Sequence, residues 1–193
     1  MTDDLILMEQ YLKKHIEGCR LLHSQRTADE AVKLAKKYEA DEKKALIAGL
    51  LHDVAKGACK HGLQNVAGRY NVSIDAVEMD NPELLHGRVG AAMVAADLGI
   101  QDEEILSAIR WHTTGRAGMS LLEKIVYIAD LIEPGRDFEG IDEIRDLAYK
   151  DIDEAMIHSL RKIMEFVKSK GFSLHPSSVE AYEYILKRRN SIT

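Results

Sequence analysis

The 193-residue chain carries 46% hydrophobic and 30% charged side chains, enough apolar material for a sizeable core in one domain, 1–193. Its 26 Lys and Arg against 32 Asp and Glu leave a net charge of -6, which excludes a nucleic-acid coat or an anionic-membrane binder but leaves room for a local basic phosphate pocket. The acidic start MTDDLILMEQ does not read as a secretory signal, no apolar run approaches the roughly 20 residues that span a bilayer, and Cys19 and Cys59 form no CxxC pair, so the expectation is a cytoplasmic protein with reduced thiols.

Helical periodicity dominates. Over 4–17, Leu5, Met8, Leu12 and Ile16 recur at helical spacing, and over 19–39 Ala28, Ala31, Val32 and Ala35 share one face. Asp41 is the expected N-cap of a central helix whose stripe runs through Ala45, Ile47, Ala48, Leu50, Leu51 and Val54, with Gly57 at its end. Short helical pieces follow around 62–70 and 74–79. A further helix opens near Pro82 and closes at Gly99, and its Gly90, Ala91, Ala92, Ala95 and Ala96 permit close approach of a neighbour. The remaining predicted helices are a short one over 102–112, one capped by Ser120 and stopped by Pro134 and Gly135, an amphipathic one over 151–170, and a last one from about Ser177 to Arg189. No stretch sustains period-2 alternation. The fold class is all-α, a single-domain helical bundle.

Against this background a few polar residues stand at the edge of the core. The run AGLLHDVAKG at 48–57 sets His52, Asp53 and Lys56 among Leu50, Leu51 and Val54. Adjacent helical residues point about 100° apart, so His52 and Asp53 can grip one metal at the helix edge or one each of two neighbouring ions. His23, His86, His112 and Asp130 fall near the ends of other predicted helices, beside their apolar faces. Imidazole nitrogen and carboxylate oxygen are what a divalent Fe, Mn, Co or Zn accepts where no thiolate is offered. Taken singly, each residue has a structural reading. His23 suits a hydrogen-bonded core histidine, Asp130 a partner of an arginine or a helix cap, and His52–Asp53 a polar helix end. Lys56 suits a last turn favoured by the helix dipole. Their joint order, H…HD…H…H…D across five predicted helices, is what points to a metal centre.

That order resembles the HD superfamily of metal-dependent phosphohydrolases. The strings RLLHS at 20–24, AGLLHDVAKG, LLHGRVGA at 84–91, RWHTTG at 110–115, IVYIADLIEPGRDFEG at 125–140 and LHPSSVEAYEYILKRRN at 174–190 are similar to its YqeK-type branch, the symmetrical diadenosine tetraphosphate hydrolases, over nearly the whole chain. The resemblance implies an HD-domain bundle with a metal core at about 19–136 and C-terminal helices over 151–190 that complete the bundle and the nucleotide pocket. It implies cleavage of diadenosine tetraphosphate between its middle phosphates, giving two ADP, by a metal-bound hydroxide. His23, His52, Asp53 and Asp130 are the implied ligands of the tighter ion. His86 and His112 either complete a second metal position or hydrogen-bond the phosphate. The family is associated with iron; Mn or another divalent ion suits the same donors, as one or two ions.

Asp53, His86, His112 and Lys56 are the residues expected to act in catalysis. Substrate contacts are expected from Arg20, His23, His86, His112, Thr113, Asp130 and Arg136, with Thr114 and Gly115 beside them. Arg20 lies at i-3 to His23 and Lys56 at i+3 to Asp53, each on the face of its partner. The segment FSLHPSSVE, with Phe172 and His175, is implied to lie over the nucleoside, although simple packing of the last helix explains it as well. Residues 58–61, His61 included, carry no part of the resemblance. An HD nucleotidase acting on another nucleotide shares the same metal core and stays open as an alternative. A non-catalytic nucleotide-binding HD module also stays open, and the long amphipathic helices could serve a homodimer. A cyclic-dinucleotide phosphodiesterase is disfavoured, because no Gly-Tyr-Pro string occurs.

Overall fold

The computed structural model describes residues 2–191; the side chains of residues 2, 3 and 58–61 lie outside the described residues, and with them the expectations for Cys59 and His61. Among the described residues the chain forms eleven α-helices and two 3-10 segments, with no strand. The order is α1 (Thr2–His15), α2 (Cys19–Lys37), α3 (Glu42–Leu51), a 3-10 segment (Val54–His61), α4 (Leu63–Arg69), α5 (Ala76–Asp80) and a 3-10 turn (Pro82–Leu85). There follow α6 (His86–Leu98), α7 (Glu103–Trp111), α8 (Leu121–Ile132), α9 (Ile141–Ala148), α10 (Ile152–Ser169) and α11 (Pro176–Asn190).

Helix starts follow side-chain capping chemistry. Asp41 accepts the Lys44 amide at the start of α3, Asp102 caps α7, and Ser120 forms a reciprocal capping box with Glu123 at the start of α8. Helix α3 is central, as its nearly continuous apolar stripe implies, and packs against α2, α7 and α8. The α2–α3 contact is backbone-close: a Cβ on Gly49 would stand 2.9 Å from the Cα of Ala28. Helix α8 buries Ile125, Val126, Ile128 and Ala129 completely. The main apolar cluster runs from Met8 in α1 to Ile185 in α11, so α10 and α11 share the core that holds α3 and α8.

Three local features differ from the sequence expectation. The helix opened by Asp41 stops at Leu51 rather than running to Gly57; His52 and Asp53 form a turn and the chain continues as the 3-10 segment. Gly57 there lies against the end of α1, where a Cβ would fall 1.6 Å from the carbonyl oxygen of His15, so glycine is required by contact rather than as a helix stop. A 3-10 turn eclipses residues i and i+3, and it sets Lys56 directly over Asp53. The second feature is α9, which sequence reading passed over although Ile141, Ile144 and Ala148 are buried at i, i+3 and i+7. The third is the start of α11, where the cap is the imidazole of His175 rather than Ser177 or Ser178; its Nδ1 accepts the Ser177 amide.

Candidate metal centre and active site

Six side chains from five places in the fold converge at one end of α3. His23 comes from the first half of α2, His52 and Asp53 from the turn after α3, His86 from the first position of α6, His112 from the C-cap of α7, and Asp130 from the last turn of α8. Helix ends supply most of them, which allows side chains from differently directed helices to meet without breaking apolar stripes.

The imidazoles are held in one orientation. The Nδ1–H of His52 donates to the carbonyl of Gly49 at 2.7 Å, that of His112 to the carbonyl of Ile109 at 2.7 Å, and that of His86 to the carbonyl of Glu83. His23 donates from Nδ1 to the Glu133 carboxylate at 3.1 Å. A backbone carbonyl carries no proton, so Nδ1 of His52, His86 and His112 holds the hydrogen and, in the neutral ring, Nε2 turns a lone pair inward. The Nε2 atoms then face one another, His23 to His52 at 3.2 Å and His86 to His112 at 2.9 Å. The Thr113 hydroxyl lies 3.0 Å from His86 Nε2 and 3.2 Å from His112 Nε2, and its single proton can serve one of them.

Two carboxylates complete the ring. Asp130 Oδ1 stands 2.9 Å from His23 Nε2 and accepts from the Arg136 guanidinium. Asp53 Oδ2 pairs with Lys56 at 2.9 Å. Asp53 Oδ1 lies 3.4–3.5 Å from the Nε2 of His52, His86 and His112, yet it is buried with no hydrogen-bond partner. Converging lone pairs around a buried, unsatisfied carboxylate oxygen repel one another unless a cation sits among them. The donor set, nitrogen and oxygen with no thiolate, fits a divalent metal, and the hydrogen bonds from Nδ1 to carbonyl or carboxylate are the outer-shell partners that orient metal-binding histidines.

The electrostatics run the same way. Burial opposes charge on Asp53, but His52, His112 and Lys56 hold it well below the usual carboxylate range. Asp130 is likewise held low against its burial by His23 and His52. Burial, with the neighbouring His112 and Lys56, pushes the His86 imidazole down to about 3, and burial lowers His112 too, so both stay neutral with lone pairs free. His52 moves up, because the attraction of Asp53 and Asp130 outweighs its burial. The field that draws a proton to His52 is the field that would draw a metal ion.

Of the other residues expected at the site, Lys56 and Thr113 face the cluster and line a cavity of about 110 Å³ with His86, His112 and Asp130. Arg136 reaches back six residues to both the carbonyl and the carboxylate of Asp130. Arg20 is exposed on α2 and Phe172 is 60% exposed beyond α10. His175 pairs with Asp75 at 3.0 Å rather than touching the cluster. Sequence reading missed Glu133, which is 3% exposed and fixes His23 while also accepting the Gly135 amide. An acid followed by Pro-Gly reads as a helix end; its signal was the burial that the preceding apolar run implies.

A helical fold that turns four imidazoles and two carboxylates onto one buried point defines the class of metal-dependent HD proteins, and residues 20–135 match the model of the HD domain. The chain is 40% identical to the symmetrical bis(5'-nucleosyl)-tetraphosphatase of Bacillus subtilis (strain 168), over 94% of this chain and 95% of that protein. It is 36% identical to the protein of that name from Staphylococcus aureus (strain NCTC 8325 / PS 47), over 89% of each chain. The crystal structure of a protein from Clostridium acetobutylicum, described as a predicted HD superfamily hydrolase involved in NAD metabolism, superposes with a TM-score of 0.91 at 41% identity, covering 95% of this chain and 97% of that one. The chain belongs to the HD domain family, within the group of the symmetrical bis(5'-nucleosyl)-tetraphosphatases.

Proposed function

We infer that this protein is a symmetrical bis(5'-nucleosyl)-tetraphosphatase, which hydrolyses diadenosine tetraphosphate between its middle phosphates to two ADP. The observation that carries this reading is Asp53 Oδ1, buried and unpartnered at the centre of three inward-facing imidazoles, in a chain of this family. His23, His52, Asp53 and Asp130 would hold one divalent ion, and His86 and His112 with Asp53 a second. The absence of thiolate among these donors suits iron, with Mn an alternative. When bound, such an ion supplies an acidified water and a Lewis acid at the phosphoryl oxygen.

The chain's own groups do the rest. Lys56 and Arg136 set a cation beside each carboxylate of the cluster, near where negative charge grows as a phosphoanhydride breaks. Neutral His86 and His112 keep lone pairs available for the ion, while Thr113 beside them at the cavity wall carries a hydroxyl proton that a phosphate oxygen can accept. The cavity, about 110 Å³, is well below the size of a nucleoside pocket, so it accommodates the phosphoryl group and leaves the adenosines outside. The half-buried Ile163 of α10 lines it and Phe172 lies beyond the end of that helix, which supports α10 as the nucleoside side of the site. The apolar cluster spanning Met8 to Ile185 supports one domain, 1–193. Among the described residues no helix is long and apolar enough to cross a membrane, and the reading adopted is a cytoplasmic enzyme.

The test is to load the purified protein anaerobically with Fe or Mn, supply diadenosine tetraphosphate, and separate the products by chromatography. ADP alone is the expected result. AMP with ATP would move the attack to another phosphorus, and no product from metal-loaded protein would overturn the assigned substrate.

A further inference from the structure

The cavity wall holds one more polar group that the mechanism above leaves unused. Tyr127 sits on α8 three residues before Asp130 and so on the same face, with its residue 3% exposed. It lines the cavity together with Lys56, His86, His112 and Thr113. Its hydroxyl is buried and has no hydrogen-bond partner among the described residues.

The other buried side-chain atoms in that condition are Asp53 Oδ1 and the hydroxyls of Ser24, Thr27 and Ser159. The three small hydroxyls belong to helices α2 and α10, where rotation about one bond brings a serine or threonine hydroxyl to a carbonyl of its own preceding turn. A tyrosine has no such recourse, because its hydroxyl stands at the far end of a rigid ring. Buried tyrosine hydroxyls ordinarily find a partner. If the ring served only to fill space, phenylalanine would do so without a buried unpaired hydroxyl. Tyr127 therefore shares the missing partner with Asp53 Oδ1, and it lines the cavity with the His86 and His112 that Asp53 Oδ1 faces.

The missing partner must be an acceptor. Burial and the Asp130 charge both hold the phenol in its neutral, proton-bearing form. The phenol makes no hydrogen bond to the Asp130 carboxylate, whose Oδ1 accepts from Arg136. An acceptor that enters with substrate into a cavity lined by Lys56 and four hydrogen-bonding groups is an anionic oxygen. We propose that the Tyr127 hydroxyl contacts substrate directly, donating a hydrogen bond to a non-bridging phosphate oxygen of the nucleotide held in this cavity. The proposal rests on the phosphoanhydride reading given above.

The variant is Tyr127→Phe, compared with wild type in metal content, in thermal unfolding of the metal-free protein, in ADP binding to the metal-loaded protein by calorimetry, and in turnover of diadenosine tetraphosphate. Metal content is expected to stay the same and the metal-free midpoint to hold or rise, since an unsatisfied buried group is removed. ADP affinity and kcat/KM should each fall about tenfold. Equal ADP binding and turnover in the two proteins would overturn the proposal, as would a loss explained by lower metal content or a lower midpoint. A wild-type protein that binds ADP but leaves diadenosine tetraphosphate intact would overturn the assigned substrate, while the ADP comparison would still decide the role of Tyr127.

Discussion

Two buried carboxylates, one at the α7–α8 corner and one at the metal centre, show how this fold separates structure from function. Glu123 is fully buried and its oxygens are filled by the chain itself, with Arg116 at 2.7 and 2.9 Å, Ser107 at 2.8 Å and the Ser120 amide at 2.5 Å. Asp53 is as deeply buried, but only Oδ2 has a cationic partner; Oδ1 faces three lone pairs. An acid kept for the fold is saturated by protein donors, because leaving it short costs about 1–3 kcal/mol. An acid kept for chemistry is left short, and the deficit is made up by what binds.

The contrast breaks if the two acids respond alike to removal. Asp53→Ala should lower metal content sharply and reduce turnover by about three orders of magnitude or more, with helical content by circular dichroism retained; normal turnover would end the assignment. Glu123→Gln should do the reverse. It leaves Arg116 facing a weaker acceptor and costs about 2 kcal/mol of stability, read as a lower denaturant midpoint, with metal content unchanged.

Arg136→Ala sharpens the picture on the open side of the site, where the guanidinium is half-exposed and bonded to Asp130. Metal should stay bound while kcat/KM falls about tenfold; loss of the metal would make Arg136 a ligand-positioning residue instead. The smallest effect is on acid stability. Burial opposes charge on Glu123, but Arg116 and the Ser120 amide lower its folded pKa below the unfolded value. The folded state then binds fewer protons, so this stabilisation is complete above roughly pH 5 and is lost as pH falls through the depressed folded value. The slope of stability against pH below that point should be shallower in Glu123→Gln than in wild type.

How far the sequence reached depends on what each residue needed. Helices with full amphipathic stripes, such as those around Leu34, Ile128 and Met156, were legible because burial writes a 3.6-residue period. Helix α9 was not, since eight residues with exposed Asp142, Glu143 and Asp146 dilute Ile141 and Ile144. The metal-type residues were legible as a set because their donor chemistry is unusual beside apolar stripes. Their supports were not: Glu133 resembles any acid at a helix end, and the Tyr127 hydroxyl is invisible in a stripe where the ring alone satisfies the pattern. The need for glycine at 57 comes from its close approach to His15, a contact between distant segments that no local pattern encodes.

A metal ion should supply what Asp53 and the facing imidazoles lack. The most direct test is to saturate the protein with Fe or Mn under anaerobic conditions, remove free ion by gel filtration, and measure metal per chain in wild type and in Asp53→Ala. One to two ions per wild-type chain and a clear deficit in the variant are expected. A folded wild-type protein that emerges without metal, or a variant that retains as much as wild type, would contradict it.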